Sequence, residues 1–174
     1  MKAKHLFLTI FIPFLILALQ NIQCTGISPA SKVGAQAELT GCDLTNATLR
    51  GIILTNANFY GATLRETSFR EANLRGANFS TAILSHSDLS KANLYGSDLR
   101  FADLTECDFS GTNLAEADLG GADLRGANFK GAVMENTNLS AIVWYNVICP
   151  DGTNSNDNGF TCEKHLMHKS NGGQ

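Results

Sequence analysis

Charge is scarce in this 174-residue chain: Asp, Glu, Lys and Arg make up 17% of it, against about a quarter in an ordinary soluble domain. No block of like charges occurs, and the formal net charge is −3. The chain therefore lacks the basic surface of a nucleic-acid binder and has no acidic or basic tail. It also lacks an apolar run long enough to span a bilayer. The one near-continuous stretch, Leu6 to Leu19, falls short of the ~20 residues a membrane helix needs and contains Pro13. Ordinary periodicity is missing from the middle of the chain as well. Its large apolar residues recur neither at the 3.6-residue interval of a helix nor at the two-residue interval of a strand.

What the first residues do show is the order of a secretory signal: Lys2 and Lys4, then the apolar stretch, then polar residues from Gln20. Residues 1–24 are read as a signal peptide and 25–35 as a lead-in. No Ala-x-Ala marks the cleavage point, although Cys24 and Gly26 are small residues at suitable relative positions. Asn21-Ile22-Gln23 is a poor lead-in to a lipid-modified Cys24. The expected destination is the periplasm or the exterior, by bacterial export.

From Gln36 the chain can be cut every five residues, QAELT GCDLT NATLR GIILT and onward to AIVWY. The fourth residue of each block, from Leu39 to Trp144, is always large and apolar: mostly Leu, with Phe59, Phe69, Phe79, Phe109, Phe129 and Met134. Two residues earlier runs a small series, mostly Ala, varied by Cys42, Thr67, Ser87, Cys107 and Thr112. On a helix a step of five advances about 500°, so these leucines would spiral over every face. A chain that keeps one large and one small side chain inside at every fifth step must turn at that interval, which is the rule of a solenoid.

Blocks such as EADLG, GADLR and GANFK, Glu116 to Lys130, resemble the A(D/N)Lxx grammar of the pentapeptide-repeat family. The resemblance covers residues 36–145. It implies an all-β fold, a right-handed quadrilateral β-helix with four pentapeptides to a coil and both apolar series inside. The twenty-residue spacing of Phe59 from Phe79 and of Phe109 from Phe129 agrees with four units per coil, because each pair then stacks at the ~4.8 Å strand separation. Phe69 has no such partner at 49 or 89. Cys42 and Cys107, on the small row, lie just over three coils apart, beyond the ~7 Å reach of a disulfide, and are expected as buried free thiols.

After Tyr145 the repeat grammar stops, and residues 146–174 are read as a cap and tail with a short helix over 161–168. Cys149 and Cys162 bracket a loop rich in Gly, Asn and Asp, and in an exported protein they are expected to form a disulfide. CPDGTNSNDNGFTC also looks like the closing segment of exported members of the family. Sharper readings of this stretch fail. Asn154, Asn156, Asn158 and Gly159 imitate a calcium loop, but its twelfth position is His165 and not Glu. Cys162, His165 and His168 lack a fourth metal ligand.

No serine has a placed histidine partner, His86 stands alone, and the carboxylates follow the repeat, so neither catalytic, metal nor cofactor residues are assigned. The expected function is that of a non-enzymatic exported module that binds another protein or serves a structural role. It has no nucleic-acid partner and no stable membrane span once the signal is cleaved; homo-oligomerisation is left open. Candidate surface contacts are Arg50, Arg65, Arg70, Arg75, Tyr60, Tyr95 and Phe101. Two alternatives stand beside this reading. One is a secreted effector. The other is the role of family members that protect DNA gyrase by mimicking duplex DNA, although thirteen acidic and eight basic residues between Glu38 and Tyr145 leave only −5 against one charge per ~1.7 Å of DNA.

Overall fold

The computed structural model describes residues 34–159, 161 and 162. The signal segment, most of the lead-in, the expected helix beyond Cys162, and His165 and His168 lie outside the described residues.

At every fifth residue from Gln36 to Asn146 the backbone has a positive φ, between 55° and 74°, and fourteen of these corners are not glycine. Each corner is the third residue of a β-turn. Cys42 N–H, for example, donates to Leu39 C=O, and Ala62 N–H to Phe59 C=O. Positive φ at the third residue is the feature that separates a type II from a type I turn. Four such turns close one coil. Parallel bridges then join residues twenty apart along the whole stack, from Glu38 with Asn58 to Asn128 with Ile148. The large residues accordingly line four faces. Face I carries Leu39, Phe59, Phe79, Leu99, Leu119 and Leu139; face II begins at Leu44, face III at Leu49 and face IV at Leu54.

The two apolar rows fill the axis, and almost all of their members are buried. Phe59 and Phe79 stack with ring centroids 4.7 Å apart, and Phe109 and Phe129 at 4.8 Å, as the twenty-residue spacing predicts. Phe69, unpaired in its own column, meets both Phe59 and Phe79 edge-on from the opposite face, at 5.8 and 5.9 Å. These contacts cross the axis, so the interior is a packed core and not a channel. Where the small row is polar, the hydroxyl or thiol donates to the carbonyl of a large residue, in the preceding coil for Thr67 to Leu44, Ser87 to Leu64, Cys107 to Leu84 and Thr112 to Leu89, and in its own coil for Ser97 to Leu94. Ser, Thr and Cys can therefore replace Ala there without leaving a buried polar atom unpaired.

The outward Asn and Asp have an equally specific task. Of the five N–H groups in a repeat, four bond to backbone carbonyls, and the one after the large residue does not. The Asn or Asp two positions earlier accepts it: Thr45 N–H to Asp43, Tyr60 to Asn58, Ser90 to Asp88, Ser110 to Asp108. The exceptions include Ile148, which is followed two residues later by Pro150, a residue with no N–H to satisfy.

Coil geometry runs five residues beyond the apolar signal. Val147 and Cys149 occupy the small and large inner positions, both fully buried, and Ile148 bridges Asn128. The chain then reverses in a tight hairpin. Gly152 N–H donates to Cys149 C=O, Cys149 N–H donates to Thr153 C=O, and Ile148 pairs antiparallel with Asn154. Pro150-Asp151-Gly152 suits that loop, because proline presets the turn and Gly152, at φ 89°, takes the left-handed position. A 3-10 helix, Ser155–Asn158, follows; Asn154 caps its start and Gly159 its end. Buried Ser155 bonds Val147 through both backbone and hydroxyl. The Cys149–Cys162 disulfide ties the segment down. An antiparallel strand thus covers part of the parallel edge that the last coil would otherwise leave open.

One sequence expectation fails. Cys107 is a buried free thiol, but Cys42 is disulfide-bonded. Burial on the inner row holds for both cysteines, but it does not decide the oxidation state of a thiol.

Two outcomes follow from this architecture. Leu94→Asp, which places an unpaired charge on the inner ladder, should abolish folding, whereas Tyr60→Asp on the exterior should cost about 0.5 kcal/mol or less in a denaturant titration. Replacing Cys149 and Cys162 together by Ser should lower stability by about 3 kcal/mol while leaving the circular dichroism of the coils unchanged, because each coil depends chiefly on its neighbours.

Candidate interaction surface

The exterior is made of short polar side chains at fixed positions, so anything larger stands out. Arg65, Arg70 and Arg75 fall on faces II, III and IV of one coil, with Arg50 one coil below Arg70. They encircle the rod without forming a patch. Each is also engaged. Glu71 receives Arg50 at 3.1 Å and Arg70 at 3.5 Å, and the Arg50 guanidinium holds the Glu71 carboxyl below its ordinary range. Arg65 donates to Ser85 and Arg70 to Ser90. Arg75 lies over the Tyr95 ring at 5.1 Å, and a hydrogen bond to Glu116 pushes the Tyr95 hydroxyl upward in pKa. These pairs are exposed and contribute little to stability.

Tyr60 and Phe101 are different. Tyr60 is 50% exposed at the outer edge of face I, and Phe101 is 68% exposed at the corner between faces I and II. The intervening coil presents only Ser80 and Thr81 there, and Gly61 lies beside Tyr60. Two coils, about 10 Å, separate the rings along the rod. The Phe101 ring lies so close over Gly121 that a Cβ there would come within 2.7 Å of it. Beside it Arg100 makes a two-pronged pair with Asp98, at 2.9 and 2.6 Å, and comes within 3.9 Å of Asp118. Arg100 is the first cause of the lowered Asp98 pKa. The result is an aromatic strip on a flat, small-residue ground with one fixed ion pair at its rim.

The sequence marked Tyr60 and Phe101 as outward aromatics and candidate contacts, alongside Tyr95 and four arginines, without bringing the two together. It missed Arg100, Asp98 and Gly121 as their surroundings. The signal was present, since Phe101 occupies the corner position of its repeat, where 41, 61 and 121 are Gly.

A depression of about 300 Å³ on face IV is lined by Thr55, Asn56, Arg75, Gly76, Tyr95 and Gly96, with no carboxylate or thiol among them. Cys107 is sealed in the core, and burial pushes its thiol up to about 12. Cys107 should therefore resist alkylation at pH 8 in the native protein and react at once in denaturant, as mass spectrometry would record.

Comparison with known proteins agrees with this geometry. The family model for pentapeptide repeats matches in eight copies, over residues 35–76, 64–100, 72–111 and 102–140. No curated protein sequence matches the chain. Among solved structures, a pentapeptide-repeat protein of the Arabidopsis thaliana thylakoid lumen is 29% identical, with a TM-score of 0.58, over 72% of this chain and 85% of its own. HetL of Nostoc sp. strain PCC 7120, involved in regulation of heterocyst differentiation, is 28% identical over 68% of this chain and 73% of its own, with a TM-score of 0.43. Rfr23 of Cyanothece 51142 is 33% identical over 46% of this chain and 58% of its own, with a TM-score of 0.36. With its five-residue grammar, its twenty-residue coils and a family match over more than half its length, the chain belongs to the pentapeptide-repeat family.

Proposed function

We propose that the protein works outside the cytoplasm as a rigid, non-enzymatic module, a right-handed β-helix that binds another protein through the strip around Tyr60 and Phe101. Phe101 carries the reading. A non-glycine residue in the left-handed region costs about 1–2 kcal/mol, and a ring left 68% exposed recovers little of that by burial. The same corner carries only Gly at 41, 61 and 121, Thr81 and Ala141, so no other residue of the column presents a large apolar side chain. A ring held at such a corner and left in solvent is better explained by recognition than by packing. The partner this strip suits has an apolar pocket for the Phe101 ring and polar groups facing Arg100 and Asp98.

Export is supported by the signal-like first residues and by the Cys149–Cys162 bridge, which persists in an oxidising compartment. The 29%-identical relative comes from a thylakoid lumen, which is compatible with export. Among the described residues no helix is long and apolar enough to cross a membrane. The DNA-mimic alternative is not adopted. Arg100 and Arg125 pair with Asp98 and Asp123 along the acidic faces, and the repeat carries too little net charge for its length.

Phe101→Gly separates binding from folding. The variant should melt at the same temperature as the parent or a few degrees higher, and should no longer retain the partner that the immobilised parent recovers from an extracytoplasmic extract. A clear fall in melting temperature would show that the ring is structural, and retained binding would move the interface elsewhere.

A further inference from the structure

Every arginine of the coils except one commits its guanidinium to an oxygen: Arg50, Arg65, Arg70, Arg100 and Arg125 each reach a carboxylate or a serine hydroxyl. Arg75 is the exception. Its guanidinium carbon stands 5.1 Å from the centre of the Tyr95 ring, and among the described residues no oxygen accepts from its N–H groups. The ring is itself held, because the Tyr95 hydroxyl is hydrogen-bonded to Glu116 in the next coil. The cation is thus positioned by a contact that leaves its hydrogen-bonding capacity unused.

Two glycines make the depression of about 300 Å³ beside it. In the corner column Gln36, Asn56, Gly76, Gly96, Glu116 and Asn136, only the middle two lack a side chain. A Cβ at Gly96 would enter open space, whereas one at Gly76 would collide with Asn56 Oδ1. The Asn56 amide group therefore lies over Gly76, and it too makes no hydrogen bond among the described residues. Two uncommitted polar side chains, one cationic and one amide, border the same hollow. We propose that this hollow is a binding site for a single carboxylate group, taken by the Arg75 fork with the Asn56 amide donating beside it. The rim selects among anions. Glu116 follows Gly96 in the column, one coil on, and its charge opposes a dianion more strongly than a monoanion, so a carboxylate suits the site better than a phosphate. The hollow lies at the opposite corner of face I from Phe101 and shares no residue with the aromatic strip, so the proposal stands apart from that strip.

NMR titration of the isotope-labelled protein tests the site, with sodium acetate, sodium phosphate and sodium chloride as probes at one ionic strength, above neutral pH where phosphate is a dianion. Acetate should shift the amide signals of Gly76 and Gly96 and the Arg75 Nε–H saturably, phosphate several-fold more weakly and chloride not at all. Arg75→Gln should weaken acetate binding by about tenfold or more. Asn56→Asp should abolish the response, since the new carboxylate would take the guanidinium itself. Both variants should melt with the parent, because both side chains are exposed. A blocked tripeptide with a central glutamate, set against its glutamine counterpart, distinguishes the source of the group. Binding about tenfold tighter than acetate marks a carboxylate borne by a protein chain, and binding equal to acetate marks a free small acid. No saturable shift with acetate or the glutamate peptide, an equal response to phosphate, or an unchanged titration in Arg75→Gln would overturn the proposal.

Discussion

A chain that must return to the same place every twenty residues has to turn four times per coil, and the turns here are made through the left-handed region. At the corners from Gln36 to Gly131 the N–H of the left-handed residue donates to the next coil: Gly41 to Tyr60, Glu66 to Ser85, Phe101 to Gly120. The conformation is costly for any residue with a Cβ, yet fourteen corners bear one. Those turns persist because they are held between coils by bonds from both sides. No corner is stable alone; the stack makes it so.

From the corner follow the other positions of the repeat. The two residues on either side of each short strand's middle face the axis, one large and one small, because opposite faces meet there and Phe69 touches Phe59 and Phe79 across it. The N–H after the large residue is the one the coil cannot bond, so Asn or Asp is needed two places earlier. Thus the A(D/N)L pattern is a list of three physical demands: small inside, acceptor outside, large inside.

The exterior is freer, and so function must be sought where a residue departs from what the coil requires. Arg50, Arg65, Arg70 and Arg75 depart in size but are engaged around three faces. Phe101 departs in size and in apolar exposure, a large ring on a corner where its column otherwise carries only Gly, Thr or Ala, and Tyr60 shares its surface. Beyond residue 145 the demand is different again. There an antiparallel return of the chain and the Cys149–Cys162 bridge hold the last described coil.

Sequence alone determined the coil. A strict period of five over more than a hundred residues admits few backbones; the family resemblance implied four units to the coil, and the phenylalanine spacings agreed with it, because stacked rings require equivalent positions one coil apart. The Cys149–Cys162 pairing was legible for a similar reason, being local in the chain. What only the tertiary structure decided were relations across coils. The five-residue register assigns Arg65, Arg70 and Arg75 the same kind of position, yet winding sends them to three faces. Tyr60 and Phe101, forty-one residues apart in sequence, come to one strip. The oxidation of Cys42 was illegible because an inward position predicts burial and says nothing of the state of the thiol. A repeat fixes what each residue faces within its own turn; which distant residues share a surface depends on how the turns are stacked and where the stack ends.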